Sequence, residues 1–510
     1  MRMQLMKFLL VGLLCCCGVA QAAEARRTNV LFLIADDLNT YLGCYGDPLA
    51  KTPNLDKLAA RGVKFEKAYC TFPLCGPSRN SFLTGLYPNS SGIVANSQVF
   101  RQTVPRQVSL PQAFRQQGYF AARVGKLYHY NVPNSIGTDG HDDPGSWEME
   151  INPAGVDRLE EMPKIFTLVS NQFGGVLSWY GSPKSEEQHT DGKIAMEAEW
   201  LLERCAKQRD RPFFLAVGFF RPHTPYVAPK TPYFDLYPEN KMPVVTGVAE
   251  DQADVPPAAL NSRRKEQDAM SDEQRRQALQ AYYASISFMD AQVGKVINAL
   301  DRLGLAENTV IVFTSDHGYL MGQHGLWQKL SLFEQSVRVP LLMVASGVSK
   351  KGSVVKTPVS QLDLYPTLTE LAGVKAPANI QGQSLVPLLK DVNAKGRGWA
   401  LTQVMRGNVA RPGINAPTEG PNRGFFGYSL RTARWRYTEW DEGNKGRELY
   451  DHEKDPQELT NLATVSEHAT TVAELSKQLR EAVKASLPAD GKMPEFLGSA
   501  PMWAPNLTNP

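Results

Sequence analysis

At 510 residues the chain is several times the roughly 150 residues expected of one domain, so it can bury a large core. Apolar residues make up 42% and charged residues 21%, which excludes a disordered, collagenous or many-span membrane protein. Lys and Arg number 55 against 52 Asp and Glu, a net charge of +3 with no long basic run, and that balance argues against dedicated nucleic-acid binding.

Residues 1–22 read as a signal peptide. Arg2 and Lys7 precede an apolar stretch from Phe8 to Ala20, and Ala20-Gln21-Ala22 has the small-x-small form of a cleavage site. The stretch is shorter than the roughly 20 residues of a bilayer span. No later run reaches that length, so the expectation is an exported protein, periplasmic or secreted, with no stable membrane span. Cys15-Cys16-Cys17 invite a lipoprotein reading, but the residues before each Cys fit that cleavage pattern badly. Cleavage leaves Cys44, Cys70, Cys75 and Cys205, too few for a disulfide framework, although a single Cys44–Cys70 bridge stays open.

Val30 to Ala35, Tyr119 to Val124, Phe213 to Val217, Thr309 to Phe313 and Val339 to Val344 are short apolar runs of the kind that form buried parallel strands. Helical patterns lie between them. Thr52-Pro53-Asn54 opens one that reaches Arg61, and Ser109 caps another through Gln117. Ser271 with Gln274 forms a capping box ahead of the longest, which carries Leu279, Tyr283, Ile286, Val293, Ile297 and Leu300 on one face and stops near Gly304. Such alternation specifies an α/β sheet with helices on both sides. The polar stretches from Asn131 to Gly145 and from Glu250 to Gln267 read as long surface loops that shape a substrate mouth. Beyond about Gly382 the pattern changes: Phe426 to Arg431 and Trp435 to Trp440 are strand candidates, and Val472, Leu475, Leu479 and Val483 recur at helical spacing. The expected organisation is a catalytic unit over 23–390 and a smaller α+β subdomain over 391–510.

Ionisable groups follow four of the strand candidates: Asp36 and Asp37, then Lys126 and His129, then His223, then Asp316 and His317. Ligands of open α/β sheets sit beyond the carboxyl ends of the strands, so these coincidences point to one site. Singly, each has an ordinary explanation. The Asp pair and Asp316-His317 could serve turns or caps, Lys126 and His129 a solvated loop, and His223 between Pro222 and Pro225 a structural hydrogen bond. Together, three carboxylates and a His suit a hard divalent cation, calcium or magnesium. Neighbouring Lys, Arg and His suit an oxyanion. The remaining need is a nucleophile. Cys75 stands just ahead of Pro77 at a helix start, where the helix field would lower its pKa; the alternative is a buried, inert thiol.

Cys75-Gly76-Pro77-Ser78-Arg79, followed by Leu83-Thr84-Gly85, resembles the signature of the type I sulfatases. The resemblance extends through Ile34-Ala35-Asp36-Asp37, Gly125-Lys126-Leu127-Tyr128-His129, Arg221-Pro222-His223-Thr224-Pro225, Ser315-Asp316-His317-Gly318 and Glu448-Leu449-Tyr450-Asp451 before Asp455-Pro456. Within the family, iduronate-2-sulfatase and its bacterial relatives are most similar, through the spacing of Lys126 and His129, through His317, and through Trp435-Arg436-Tyr437-Thr438. The resemblance implies an α/β, alkaline-phosphatase-like fold: a large mixed sheet flanked by helices, with a smaller C-terminal α+β subdomain. It also implies that a formylglycine-generating maturation enzyme converts Cys75 before or during export. Asp36, Asp37, Asp316 and His317 would then bind calcium together with an oxygen of the modified Cys75. Arg79 would hold that residue, Lys126 and Lys329 would bind the sulfate, His129 would assist the formylglycine hydroxyl, and His223 would contact the bridging oxygen. The implied substrate is a sulfated saccharide, with 2-O-sulfate on a uronic acid or related sugar ahead of others. An aldehyde hydrate suits this chemistry, because one hydroxyl attacks sulfur and displaces the alcohol while the second lets sulfate leave by elimination. Two other readings stand beside it: a phosphate or phosphonate ester hydrolase of the same superfamily, and a noncatalytic glycan-binding protein with Trp435 and Trp440 as stacking surfaces.

Overall fold

The run from Val30 to Ala35 has no polar position, and in the computed structural model, which describes residues 27–407 and 424–494, all of it is buried in a central strand, β1 (Asn29–Asp36). The expected signal peptide lies outside the described residues. Successive side chains of a strand point to opposite faces. Leu31, Leu33 and Ala35 therefore enter one core, and Val30, Phe32 and Ile34 the other.

The remaining strands of the large sheet are β2 (Val63–Tyr69), β3 (Phe120–Gly125), β4 (Met149–Ile151), β5 (Phe213–Pro222), β6 (Thr309–Ser315), β7 (Arg338–Val344), β8 (Ser353–Val355) and β9 (Val359–Ser360). The order in this nine-stranded sheet is β8-β2-β7-β6-β1-β5-β3-β4, with β9 also pairing with β2. Val30 of β1 lies opposite Phe214 of β5 and Val310 of β6, both parallel. Helices α1 (Pro53–Arg61), α2 (Cys75–Thr84), α3 (Leu110–Gln116), α4 (Thr190–Lys207), α5 (Asp272–Arg302) and α6 (Leu364–Ala372) flank it. Apolar side chains of α1, α4 and α5 fill the first core, and those of α2, α3 and α6 the second. Ser109 and Ser271 cap α3 and α5 through full capping boxes, as their spacing to Gln112 and Gln274 predicts.

Two expectations need correction, and one open possibility is closed. β7 is buried but antiparallel to both neighbours. A buried apolar run reads the same in either direction, and the segment from Asp316 to Val337 supplies only short turns and returns at the same end of the sheet, whereas a parallel partner needs a crossover. The stretch from Asn131 to Gly145 is no surface loop, because Val132, Ile136, Thr138, His141 and Asp143 are buried and Arg101 Nη2 meets Asp143 at 2.6 Å. Cys44 and Cys70 are both free. Lys64 Nζ donates to the Cys44 carbonyl at one end of β2 and Cys70 follows its other end, so about 20 Å of extended strand separates thiols that a bridge would bring within about 7 Å.

The C-terminal part is an antiparallel meander, β10 (Trp399–Arg406), β11 (Phe425–Thr432), β12 (Trp435–Trp440) and β13 (Arg447–Asp451), with α7 (Ala469–Ala485) packed on it. Trp440 is wholly buried and donates from Nε1 to Glu448 at 2.6 Å, so it offers no stacking surface. The meander pins the chain ahead of α2: Thr402 Oγ1 donates to the Cys70 carbonyl at 2.6 Å, and the Gln403 amide donates to the Thr71 carbonyl at 2.9 Å. A buried ion cluster reinforces the seam, in which Arg436 pairs with Glu334 and Glu458, and Tyr69 donates to Glu334 at 2.9 Å.

Candidate active site

The carboxyl ends of β1, β3, β5 and β6 bring the sequence-predicted residues together. Asp36 ends β1 and accepts from Arg79 Nη2 at 2.9 Å and Lys126 Nζ at 2.6 Å. Arg79, one turn into α2, also reaches Asp316 Oδ2 through Nε at 3.0 Å and donates to the carbonyls of Lys126 and Leu127 at 2.9 and 3.2 Å. One buried guanidinium thus ties together the ends of β1, β3 and β6. Such a fork suits planar, bidentate recognition, which the ammonium of a Lys would not supply.

Asp37 adopts a left-handed backbone, φ 64°, which Asp tolerates better than most residues. Its amide donates to Asp316 Oδ1 at 3.0 Å, and its carbonyl accepts from the Tyr282 hydroxyl of α5 at 2.8 Å. The side chain turns into the site, where Oδ1 meets Lys329 Nζ at 2.5 Å and His317 Nε2 at 3.2 Å. Oδ2 is buried with no hydrogen-bond partner, and His223 Nε2 stands 3.6 Å from it.

Cys75 is the first residue of α2 and is buried. Its Sγ lies 3.0 Å from Lys329 Nζ and 3.4 Å from His317 Nε2. Lys329 arrives on a contorted loop: Gln328 and Leu330 on either side have φ of 75° and 64°, and the Leu330 amide donates to the Pro73 carbonyl at 3.1 Å. Such left-handed non-glycine pairs cost free energy and persist where the surroundings over-determine them. β5 runs past the expected Val217 to Pro222, which delivers His223 directly to the mouth of the site.

The electrostatics follow from burial opposed by close charges. Burial resists ionisation of Cys75, yet Lys126, Lys329 and His317 hold its thiol well below the ordinary value. Burial works against the charge on Lys329, and Asp37 overcomes it, raising its pKa. Burial likewise opposes a charged His317, but Asp316 raises it to about 9. Asp316 itself is pushed up to about 6 by burial, against the pull of Arg79. Burial dominates at His129 and lowers it to about 4, so that ring is neutral at pH 7.

Donor atoms of Asp37, Cys75, Asp316 and His317 all lie within 4.8 Å of one another. His317 Nδ1 donates to the Gly318 carbonyl at 2.8 Å, which leaves Nε2 facing the cluster. With the orphaned Asp37 Oδ2 this set fits a divalent cation, and oxygen in place of sulfur at residue 75 would make it a hard-ion set. Asp36, the further ligand that the resemblance implies, accepts from Arg79 and Lys126 and lies outside this group.

Above the cluster lies a cavity of about 460 Å³, lined in part by His129, His223 and Lys329 and by residues of both long loops, including Asn131 and Arg264. A hollow of about 710 Å³ beside Tyr41 and His324 is larger but holds no nucleophile of this kind.

Several supporting residues escaped sequence reasoning. Ser78 Oγ donates to the Asp316 carbonyl at 2.5 Å and to Gln361 Oε1 at 3.3 Å, while Gln361 Nε2 donates to the Ser315 carbonyl. Ser78 stands inside the Cys75 motif, which is a signal; Gln361 and Tyr282 carry none, because only the fold brings them to the strand ends.

A family model for sulfatases matches residues 28–374, and one for the C-terminal part of N-sulphoglucosamine sulphohydrolase matches residues 322–485. A sulfatase of Formosa agariphila is 32% identical over 484 residues, covering 91% of this chain and 87% of its own. Iduronate 2-sulfatase of Mus musculus is 30% identical over 537 residues, covering 89% and 94%. In solved structures, the phosphonate monoester hydrolase of Agrobacterium radiobacter superposes with a TM-score of 0.74 at 25% identity, covering 90% of this chain and 96% of that one.

Proposed function

The chain belongs to the sulfatase family and is a sulfuric ester hydrolase, and from that premise we propose that its substrates are 2-O-sulfate esters on uronic acid or related residues of sulfated glycans. In this reading the chain is exported after loss of residues 1–22, its catalytic unit ends near residue 390, and Cys75 is matured to formylglycine. The observation that carries it is the buried Cys75 Sγ 3.0 Å from the Nζ of Lys329, a cation that lines the cavity, and 3.4 Å from His317 Nε2.

Calcium would be held by Asp37, Asp316, His317 and an oxygen of matured residue 75, and when bound it supplies Lewis-acid stabilisation of charge on the transferring group. Residue 75, once matured, would supply as its hydrated aldehyde the hydroxyl that displaces the alcohol from sulfur. The chain's own groups do the rest. Lys126 and Lys329 place fixed positive charge beside the sulfate oxygens. Neutral His129, buried in the cavity wall, would accept a proton from the hydroxyl of matured residue 75. His223 donates from Nδ1 to the Thr224 carbonyl at 2.5 Å, because a carbonyl only accepts, and that bond aims Nε2 toward Asp37 and the cavity. A protonated Nε2 hands its proton to the departing sugar oxygen.

The test is a screen of sulfated saccharides with free sulfate as the readout, run on protein whose tryptic peptide Ala68–Arg79 has been weighed. The expected peptide has lost sulfur and two hydrogens from residue 75 and gained oxygen, and the protein releases sulfate from a 2-O-sulfated uronate disaccharide. Full activity with a wholly unmodified peptide overturns the nucleophile. Faster turnover of phosphonate monoesters than of any sulfate ester favours the phosphonate reading, for which the likeness to the Agrobacterium radiobacter enzyme speaks.

A further inference from the structure

The cavity above Cys75 carries more positive charge than one sulfate uses. Its wall presents Lys329, Arg263, Arg264, His129 and His223, and among the described lining residues there is no Asp or Glu. Two of the three permanent cations are already engaged. Lys329 is bound to Asp37 at 2.5 Å, and Arg263 to Asp268 at 2.8 Å. Arg264 is different. Among the described residues its guanidinium makes no hydrogen bond, and its one ion pair, to Glu266, is 3.7 Å long.

The guanidinium nonetheless packs on the backbone of the cavity wall. It lies against Gly175 so closely that a methyl group there would come within 3.1 Å of Nη2 and 3.2 Å of Nη1. Gly175 is in turn tied to the residue before Lys329, since Gln328 Nε2 donates to its carbonyl at 3.0 Å. On the same wall Ser262 Oγ is buried with no hydrogen-bond partner. A planar fork without a hydrogen bond and an orphaned hydroxyl lining the same cavity are a set of donors awaiting an acceptor, and carboxylate and sulfate are the groups that match a guanidinium fork bidentately. A volume of about 460 Å³ is in the range that encloses a small organic ligand, far more than sulfate alone.

We propose that Arg264, assisted by Ser262, forms a second anion subsite in this cavity, so that the enzyme selects saccharides bearing another negative group, a carboxylate or a further sulfate, beside the sulfate that is cleaved. The proposal rests on the reading that the cavity takes a sulfated saccharide. Arg264 acts on substrate choice by binding, and Cys75, the lysines and the histidines act on the reaction. The subsite discriminates because a cavity wall without carboxylates favours a dianion over a monoanion, while a monoanion leaves Arg264 with only its long pair to Glu266.

The experiment compares wild type with Arg264→Gln and Arg264→Lys on related substrates: a 2-O-sulfated uronate disaccharide, the same sugar with its carboxylate reduced to the alcohol, and the reduced sugar carrying a second sulfate. The wild type should prefer a dianionic sugar, and Arg264→Gln should shrink that preference in kcat/KM by about 10- to 100-fold, chiefly through KM, with Arg264→Lys restoring part of it. If reducing the carboxylate removes the preference and the added sulfate does not restore it, the second group is a carboxylate; restoration identifies any second anion. Equal loss on all substrates makes Arg264 a structural residue and overturns the proposal. If matured wild type releases sulfate from none of them, the functional reading fails, and calorimetry decides the subsite separately. With Cys75→Ala protein, dianion binding that weakens about tenfold on adding Arg264→Gln upholds it, and unchanged or undetectable binding overturns it.

Discussion

The floor and the rim of one site are built on opposite principles. On the floor Asp36, Arg79 and Asp316 have no exposed side-chain surface, and each charge is matched by an opposite charge within 3.0 Å. At the rim the Arg264 side chain is 43% exposed and its nearest opposite charge is 3.7 Å away. The floor hangs from the ends of β1, β3 and β6, elements that the two cores fix from both sides, whereas the rim hangs from connections between elements. Buried paired charges are costly to disturb and hold geometry; exposed loop charges are cheap to exchange and carry selectivity.

The strongest way to break the contrast is at the cluster of Asp37. Asp37→Ala removes a ligand candidate and frees Lys329, so sulfate release should fall by roughly 10³-fold or more while circular dichroism stays near wild type. Activity within tenfold of wild type would remove Asp37 from the chemistry. His223 should show a substrate-dependent loss. His223→Ala is expected to cost about 10²- to 10⁴-fold on a sugar sulfate, whose alkoxide needs a proton, and much less on a nitrophenyl sulfate. Lys126→Ala should damage both alike, and equal damage by the histidine variant would assign His223 to binding.

Stability sharpens the same comparison. Arg79→Met strips the buried carboxylates of Asp36 and Asp316 of their shared guanidinium, at a cost of about 3–5 kcal/mol in urea unfolding, while Ser262→Ala at the rim should stay within about 0.5 kcal/mol. A smaller effect should appear with pH. His129 titrates near 6.5 when unfolded and near 4 when folded, so between those values the unfolded state binds more protons. Its contribution is therefore complete above about pH 6.5 and is lost as pH falls toward 4. His129→Gln should flatten the stability–pH slope in that window, and an unchanged slope would show that His129 is not held neutral.

What could be read from the sequence follows the same division. β1, β3, β5 and β6 were legible because they are buried on both faces and so form continuous apolar runs, and their ends marked the floor. β2 was not, since Lys64, Glu66 and Lys67 break its run even though Val63 and Phe65 are buried. The direction of β7 is a property of connections rather than of composition. The stretch 131–145 misled because its polar groups are satisfied internally, as Asp143 shows in accepting from Arg101 and Ser146. Arg264 had no local signal, because its isolation exists only once Gly175 and the cavity wall surround it.

The position of Cys75 sets a timetable. Its side chain is 1% exposed, every residue of α2 is buried, and Thr402 and Gln403 of β10 clasp the chain just ahead of it. Once the meander has docked, no second protein can grip this segment, because the segment has become interior. If Cys75 is matured as proposed, the catalyst that oxidises it would therefore have to meet a chain that is still extended, and the fraction of active molecules would follow from a race between that encounter and the folding of β10 over the helix. On that proposal, molecules that fold first would keep their thiol, buried and 3.0 Å from Lys329 Nζ, and later exposure to the catalyst would not recruit them.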